Sequence, residues 1–242
     1  MSGNAYESPY MQDITGETLR PGGFHLTQKG VEFCGLSETD QILDMGCGIG
    51  ATIGYLYENY GIKATGVDVS ELLLREAVKR HPYAVFQRGS GMALPLETGG
   101  FQAVFAECTL SLMETPHEAI KEASRVLEEN GWLIITDVYA KNPEFIGQLQ
   151  GHSVNTCLRG LFDLKDLQEK VTESGFEILL LEDCSQYLKE LMVKIIFTHG
   201  SMQVFWNKTG DTGQMCSIGC DFQSGLKACK PGYFLLIAKK GA

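Results

Sequence analysis

Two aspartates and a run of glycines mark the part of this chain where chemistry could happen. Asp44 is followed by Gly46, Gly48 and Gly50 at alternate positions, and Asp68 stands 24 residues further on. Glycines at this spacing let a backbone turn tightly and approach a ligand closely. The carboxylates would then receive hydrogen bonds or positive charge from that ligand. Ile42, Leu43 and Met45 read as the end of a buried strand, and Ala51-Thr-Ile-Gly-Tyr-Leu-Tyr-Glu-Asn-Tyr60 has the pattern of a helix. A strand, a glycine turn and a helix start make the entry to a nucleotide-type site. Ile62–Asp68 predicts a second strand that ends in its own acid.

Which ligand the turn would take depends on Asp44. Gly46-x-Gly48-x-x-Ala51 also satisfies the dinucleotide fingerprint, a weak signal when alone. A carboxylate just ahead of the first glycine repels a pyrophosphate and suits a cationic amino group. A nicotinamide-dependent enzyme is therefore the remote alternative. Leu43-Asp-Met-Gly-Cys-Gly-Ile-Gly50 resembles motif I of the class I S-adenosylmethionine (SAM)-dependent methyltransferases. The resemblance continues through Phe101-Gln-Ala-Val104, Arg125-Val-Leu127 and Asn130-Gly131 to about residue 139. It is nearest to the ubiquinone/menaquinone-type small-molecule group, in an uncharacterised bacterial branch.

The resemblance implies an α/β, Rossmann-like fold: a seven-stranded sheet of order 3-2-1-4-5-7-6, strand 7 antiparallel, helices on both faces. It implies SAM as cofactor, held by Asp44, Gly46, Cys47, Gly48, Gly50, Asp68, Val69, Gly91, Met92 and Glu107, with Arg20 reaching in from the N-terminal arm. Asp68 would accept hydrogen bonds from the ribose hydroxyls, because Ser70 already fills the helix-cap position ahead of Glu71. Ser90 stands where the family usually has an aspartate for the adenine amino group. The backbone of Gly91 and Met92 and the Met92 side chain are left for that ring.

The whole chain, 1–242, reads as one domain: an arm over 1–24, a cofactor core over 25–139, and an acceptor-side half over 140–242 with a long insertion at about 183–231. Thr27 is the expected cap of the first helix. An amphipathic helix is expected over 116–129, stopped by Asn130-Gly131. Asp163 should cap a helix over 164–174, and a helix with an apolar stripe of Leu188, Leu191, Met192, Ile195 and Ile196 should follow the sixth strand. That stripe would cover the acceptor pocket, pack on the sheet or face a second copy in a homodimer.

Composition narrows the acceptor. A net charge of −10 argues against a nucleic-acid partner, since phosphate contacts need clustered Lys and Arg. No run of about 18 apolar residues is present, so no membrane span is expected, and a polar N-terminus without a signal core points to the cytoplasm. The acceptor is then a small molecule, with Glu107, His152 and Cys157 as its candidate contacts. His152 and His199 are the candidate bases outside the core match, and no catalytic residue is assigned. A SAM-binding regulatory or carrier protein without transfer activity stays open.

The chain has eight cysteines, expected to be reduced in that compartment. Cys216, Cys220 and Cys229 cluster in a polar, glycine-rich stretch read as a loop of free thiols, not a metal site. Their spacing departs from the C-x2-C of structural zinc sites, and a fourth ligand would have to come from elsewhere, such as Cys157. A thiol or metalloid acceptor, such as arsenite, held by those cysteines is the variant reading. The paired N-terminal cysteines of arsenite methyltransferases are absent.

Overall fold

The computed structural model describes residue 18 and residues 20–149, 156–200 and 215–241, with side chains for all but 199 and 215–221. The expected arm lies outside these residues as far as position 17 and again at 19.

Seven strands form one sheet of order β3-β2-β1-β4-β5-β7-β6. Strand β1 (Ile42–Met45) lies at its middle, parallel to β2 (Ala64–Asp68) and β4 (Phe101–Glu107). Both of its faces are covered, so all four of its residues are buried, as a parallel central strand requires. Strand β3 (Val85–Arg88) makes one edge, parallel to β2. Beyond β4 come β5 (Leu127–Ala140), parallel to it, and β7 (Pro231–Lys240), antiparallel to both β5 and β6 (Phe176–Asp183). The expected strand order and the reversed seventh strand are both present.

Two apolar layers cover the sheet. One gathers Ile42, Ile53, Leu56, Phe105, Ile134 and Tyr233, the other Leu43, Val104, Ile120, Leu133, Val171 and Phe234. Helices α1 (His25–Cys34), α2 (Ala51–Tyr60) and α3 (Glu71–Arg80) follow the expected positions. Ser70 caps α3 by accepting from Leu73 N at 3.2 Å. Thr27 does not cap α1, because the helix begins two residues earlier, at His25, and Thr27 is buried inside it.

Helix α4 (Pro116–Val126) buries the expected face of Ala119, Ile120, Ala123 and Val126, but ends before Asn130-Gly131. The backbone N–H groups of Gly99 and Gly100 take the carbonyls of Arg125 and Val126, at 3.0 and 2.9 Å. These contacts satisfy the helix end from a distant loop, and the chain enters β5 at Leu127. Asp163 caps α5 (Leu164–Glu173) through Lys165 N. Two 3₁₀ turns, Pro143–Leu149 and Cys157–Gly160, lie between β5 and α5.

The insertion holds helix α6 (Ser185–His199) and a second helix, α7 (Met215–Cys229), where an irregular cysteine loop was expected. Phe222 and Cys229 of α7 are buried, and Asn142 Nδ2 donates to Ala228 O at 2.8 Å, docking the helix on the 143–149 turn. The apolar stripe of α6 divides: Leu188 and Ile195 are buried, whereas Ile196 is exposed beside Phe197, which is 86 % exposed. Among the described residues, no helix is long and apolar enough to cross a membrane.

Candidate active site

Parallel strands β1, β2 and β4 end side by side, and their following loops enclose a cavity of about 470 Å³. The first loop is bent by hydrogen bonds: Gly46 N and Cys47 N both donate to Val67 O, at 2.7 and 3.1 Å. Gly48 N donates to Asp68 Oδ2 at 2.9 Å, and Ser70 N to Asp68 Oδ1 at 2.8 Å. Asp68 therefore joins the glycine loop to the start of α3. At Gly46 (φ 79°) a Cβ would fall 2.0 Å from Thr109 Oγ1, so only glycine fits there. A Cβ at Gly48 (φ 51°) would enter open space, at a residue that lines the cavity.

Of the residues singled out from the sequence, Arg20, Asp44, Gly46, Cys47, Gly48 and Asp68 line this cavity, as do Val69, Gly91, Met92 and Glu107. Gly50 is not among the lining residues. It stands behind the loop as the N-cap of α2, where a Cβ would run into His81 and Phe86. Cys157 approaches the cavity wall through a hydrogen bond to Cys108. His152 and the side chains of His199, Cys216 and Cys220 fall outside the described residues. Cys229 is buried in the core on α7, not displayed on a loop. Among the described residues no group of three or more His, Cys, Asp or Glu is placed to hold a metal ion.

Glu107 forms a buried polar cluster that no sequence spacing announces. Its carboxylate lies 2.9 Å from Arg20 Nη2 and accepts from Thr27 Oγ1 at 2.9 Å and Thr52 Oγ1 at 2.8 Å. Arg20 also donates to Thr52 and Thr27, at 3.0 and 2.7 Å. Its Nε is buried without a partner. A desolvated donor of this kind carries a penalty until something accepts from it. Asp44, 3 % exposed, has its carboxyl pushed up to about 8, chiefly by burial and then by the charges of Glu107 and Asp68, with Arg20 opposing. An unpaired buried acid beside an unpaired buried cationic N–H is a pocket made for a zwitterion.

These features fit SAM. The loop leaves room at Gly48, Asp44 awaits a positive group, and Arg20 Nε awaits an acceptor. Asp137, buried in β5, is occupied differently. It accepts from Ser111 N, Ser111 Oγ and Val138 N, at 3.0, 2.6 and 2.8 Å, and holds the 3₁₀ turn Leu110–Leu112. Leu112 of that turn and the two residues after it, Met113 and Glu114, add to the cavity lining. The sequence offered no signal for them, because they reach the site by packing.

Comparison with known proteins agrees with the geometry. Residues 43–135 match the family described as a methyltransferase domain. An O-methyltransferase of Aspergillus sclerotiorum is 27 % identical over 186 residues, 72 % of this chain and 69 % of that protein. The 27-O-demethylrifamycin SV methyltransferase of Amycolatopsis mediterranei is 27 % identical over 192 residues, 75 % of this chain and 70 % of its own. Among solved structures, the cyclase SpnF superposes with a TM-score of 0.76 at 22 % identity, covering 98 % of this chain and 94 % of its own. Phosphoethanolamine N-methyltransferase 2 of Haemonchus contortus, solved with SAM, gives 0.72 at 18 % identity over 96 % of this chain and 56 % of that one. With strands in this order around this cavity, residues 43–135 form the methyltransferase domain of a SAM-dependent methyltransferase with a Rossmann-like sheet.

Proposed function

We propose that the protein methylates a small-molecule acceptor, and that one cavity holds both cofactor and acceptor. When bound, SAM supplies an activated methyl group on a sulfonium whose leaving group is neutral. The chain's own task is to hold and orient. Asp44 receives the ammonium of the methionine moiety, and Arg20 Nε donates to its carboxylate. Asp68 takes the ribose hydroxyls while it keeps the Gly48 loop in place. Val69, apolar and 59 % exposed at the cavity wall, and Met92 flank the adenine.

The acceptor end is the wall made by Cys108, Thr109, Leu112 and Met113, with Glu114 at the rim. No histidine or lysine is among the described residues that line the cavity. Glu107 is committed to Arg20 and two threonines. Alignment is then the main contribution, which by itself accelerates an in-line displacement greatly. An acceptor with an available lone pair suits such a site better than one needing a strong base. The net charge of −10 adds to the case for a small acceptor over a nucleic acid.

The observation that carries this reading is the pairing of a buried Asp44, which has no ion-pair partner among the described residues, with an unpartnered Arg20 Nε in one cavity. Calorimetric titration with SAM, S-adenosylhomocysteine and NAD tests it first. Micromolar binding of both adenosyl ligands and none of NAD is expected. Transfer of labelled methyl from SAM to a panel of amines, thiols and phenols then identifies the acceptor class. Tighter binding of NAD than of SAM would overturn the assignment.

A further inference from the structure

Cys108 occupies an unusual place for an ordinary buried thiol. It follows β4 directly, lines the cavity, and has a left-handed backbone with φ 54°. Non-glycine residues hold that conformation at a cost, and such strain collects at functional sites. The conformation is secured on two sides. Cys108 N donates to Thr136 O at 2.7 Å. Its Sγ lies 3.2 Å from the hydroxyl of the fully buried Tyr233, which donates to Thr136 Oγ1 at 3.0 Å.

A second thiol meets it there. Cys157 opens the 3₁₀ turn Cys157–Gly160 and is hydrogen-bonded to Cys108. It is half-buried against the same apolar layer. The approach is set by packing. At Gly160 of the same turn a Cβ would fall 1.9 Å from Ser111 O, so the turn sits directly on the 110–112 turn. Neither cysteine is in a disulfide.

We propose that Cys108 and Cys157 form a dithiol that a small-molecule disulfide, such as oxidised glutathione, converts to an intramolecular disulfide at the cavity wall. Cys157, the more exposed, loses its proton to solvent, and its thiolate attacks one sulfur of the small disulfide. That S–S bond breaks and the first small thiolate leaves. Cys108 then gives up its proton and attacks Sγ of Cys157, displacing the second small thiolate. Two protein thiols are oxidised, one small disulfide is reduced to two thiols, and the two protons end on the leaving thiolates. The hydrogen bond from Cys157 and burial both hold the Cys108 thiol well above the usual range, so its attack is the slow step. The product fastens the 157–160 turn to the end of β4. The dithiol is independent of which acceptor, or which cofactor, the cavity takes.

The test equilibrates the full-length protein in glutathione buffers from fully reduced to fully oxidised, quenches with acid and maps thiols by mass spectrometry. Trypsin places Cys108 alone in fragment 89–121 and Cys157 alone in fragment 142–159. The expected product is these two fragments joined, two hydrogens lighter than their sum, fully reversed by dithiothreitol. Cys157→Ser and Cys108→Ser should each abolish the joined fragment. Hydrogen exchange of the wild-type protein gives a reading that does not depend on the folding of either variant, with at least about tenfold slower exchange at 156–161 after oxidation. Free Cys108 and Cys157 in the fully oxidised buffer, glutathione mixed disulfides only, or unchanged exchange in this segment would each overturn the proposal.

Discussion

Arg20 and Glu107 meet at 2.9 Å with side chains only 6 % and 2 % exposed, so the segment before α1 is tied to the end of β4 by a buried ion pair. Removing one partner leaves a buried charge without compensation, which costs about 3–5 kcal/mol. Glu107→Ala should lose stability of that order in urea denaturation. Glu107→Gln should lose less, because one oxygen still accepts from a threonine. A loss under about 1 kcal/mol for the alanine variant would show that the pair does not persist in solution.

Gly46 and Gly48 should respond to the same substitution in opposite ways. Gly46→Ala drives a methyl to within 2.0 Å of Thr109 Oγ1 as well as straining the backbone. It should cost about 2–4 kcal/mol of stability from overpacking and left-handed strain together. Gly48→Ala meets no atom within 4 Å and should cost about 1–2 kcal/mol. In the proposed complex its methyl lies in the path of the cofactor, so SAM affinity should fall at least about tenfold, near 1.4 kcal/mol. Thermal melts and calorimetry on the two variants separate these effects, and unchanged SAM affinity in Gly48→Ala would move the cofactor off this loop.

Asp68→Ala removes an acceptor that holds Gly48 N and Ser70 N and, in the proposed complex, the ribose. A lost hydrogen bond to a charged group is worth about 1.5–3 kcal/mol, or roughly a 10- to 150-fold rise in Kd. SAM and S-adenosylhomocysteine share the ribose, so both should weaken alike. A loss confined to one of them would place the aspartate elsewhere than on the sugar.

Asp44 links binding to pH. Its carboxyl is raised from 3.8 to about 8 and that of Asp137 from 3.8 to about 6, burial being the first cause in each. The folded protein therefore keeps protons that the unfolded chain has released. Stability of the ligand-free protein is fully present below about pH 4 as far as these two groups decide, and is lost as pH rises, through about 6 for Asp137 and about 8 for Asp44. An ammonium placed beside Asp44 favours its ionised form. SAM binding at pH 7 should therefore release about one proton, read as a dependence of the calorimetric heat on buffer ionisation enthalpy. No such dependence would separate Asp44 from the ligand's charge.

Much of the fold was legible because it is written in short-range spacing. Asp44 to Ala51 reads as a strand end, a turn and a helix start from adjacent residues alone. Ser70 and Asp163 cap their helices as their positions imply, and Asp68 reaches the glycine loop across one β–α unit. Local errors had non-local causes. Helix α4 stops at Val126 because Gly99 and Gly100 take its carbonyls, and Thr27 is drawn inside α1 with its hydroxyl on Glu107.

The amino-acid sequence by itself determined the methyltransferase core, since backbone geometry gives the glycine loop, its acids and its helix a nearly fixed relation over a few residues. Only the tertiary structure decided what surrounds that core. Thr27 and Glu107 are 80 residues apart, and Thr52 and Glu107 55 apart, yet they share one carboxylate. Cys108 and Cys157 meet because two turns pack on each other, and Cys229 is buried because α7 docks on the 143–149 turn. Such contacts arise from side-chain volume and the desolvation of polar groups across the whole fold, and no interval along the chain encodes them.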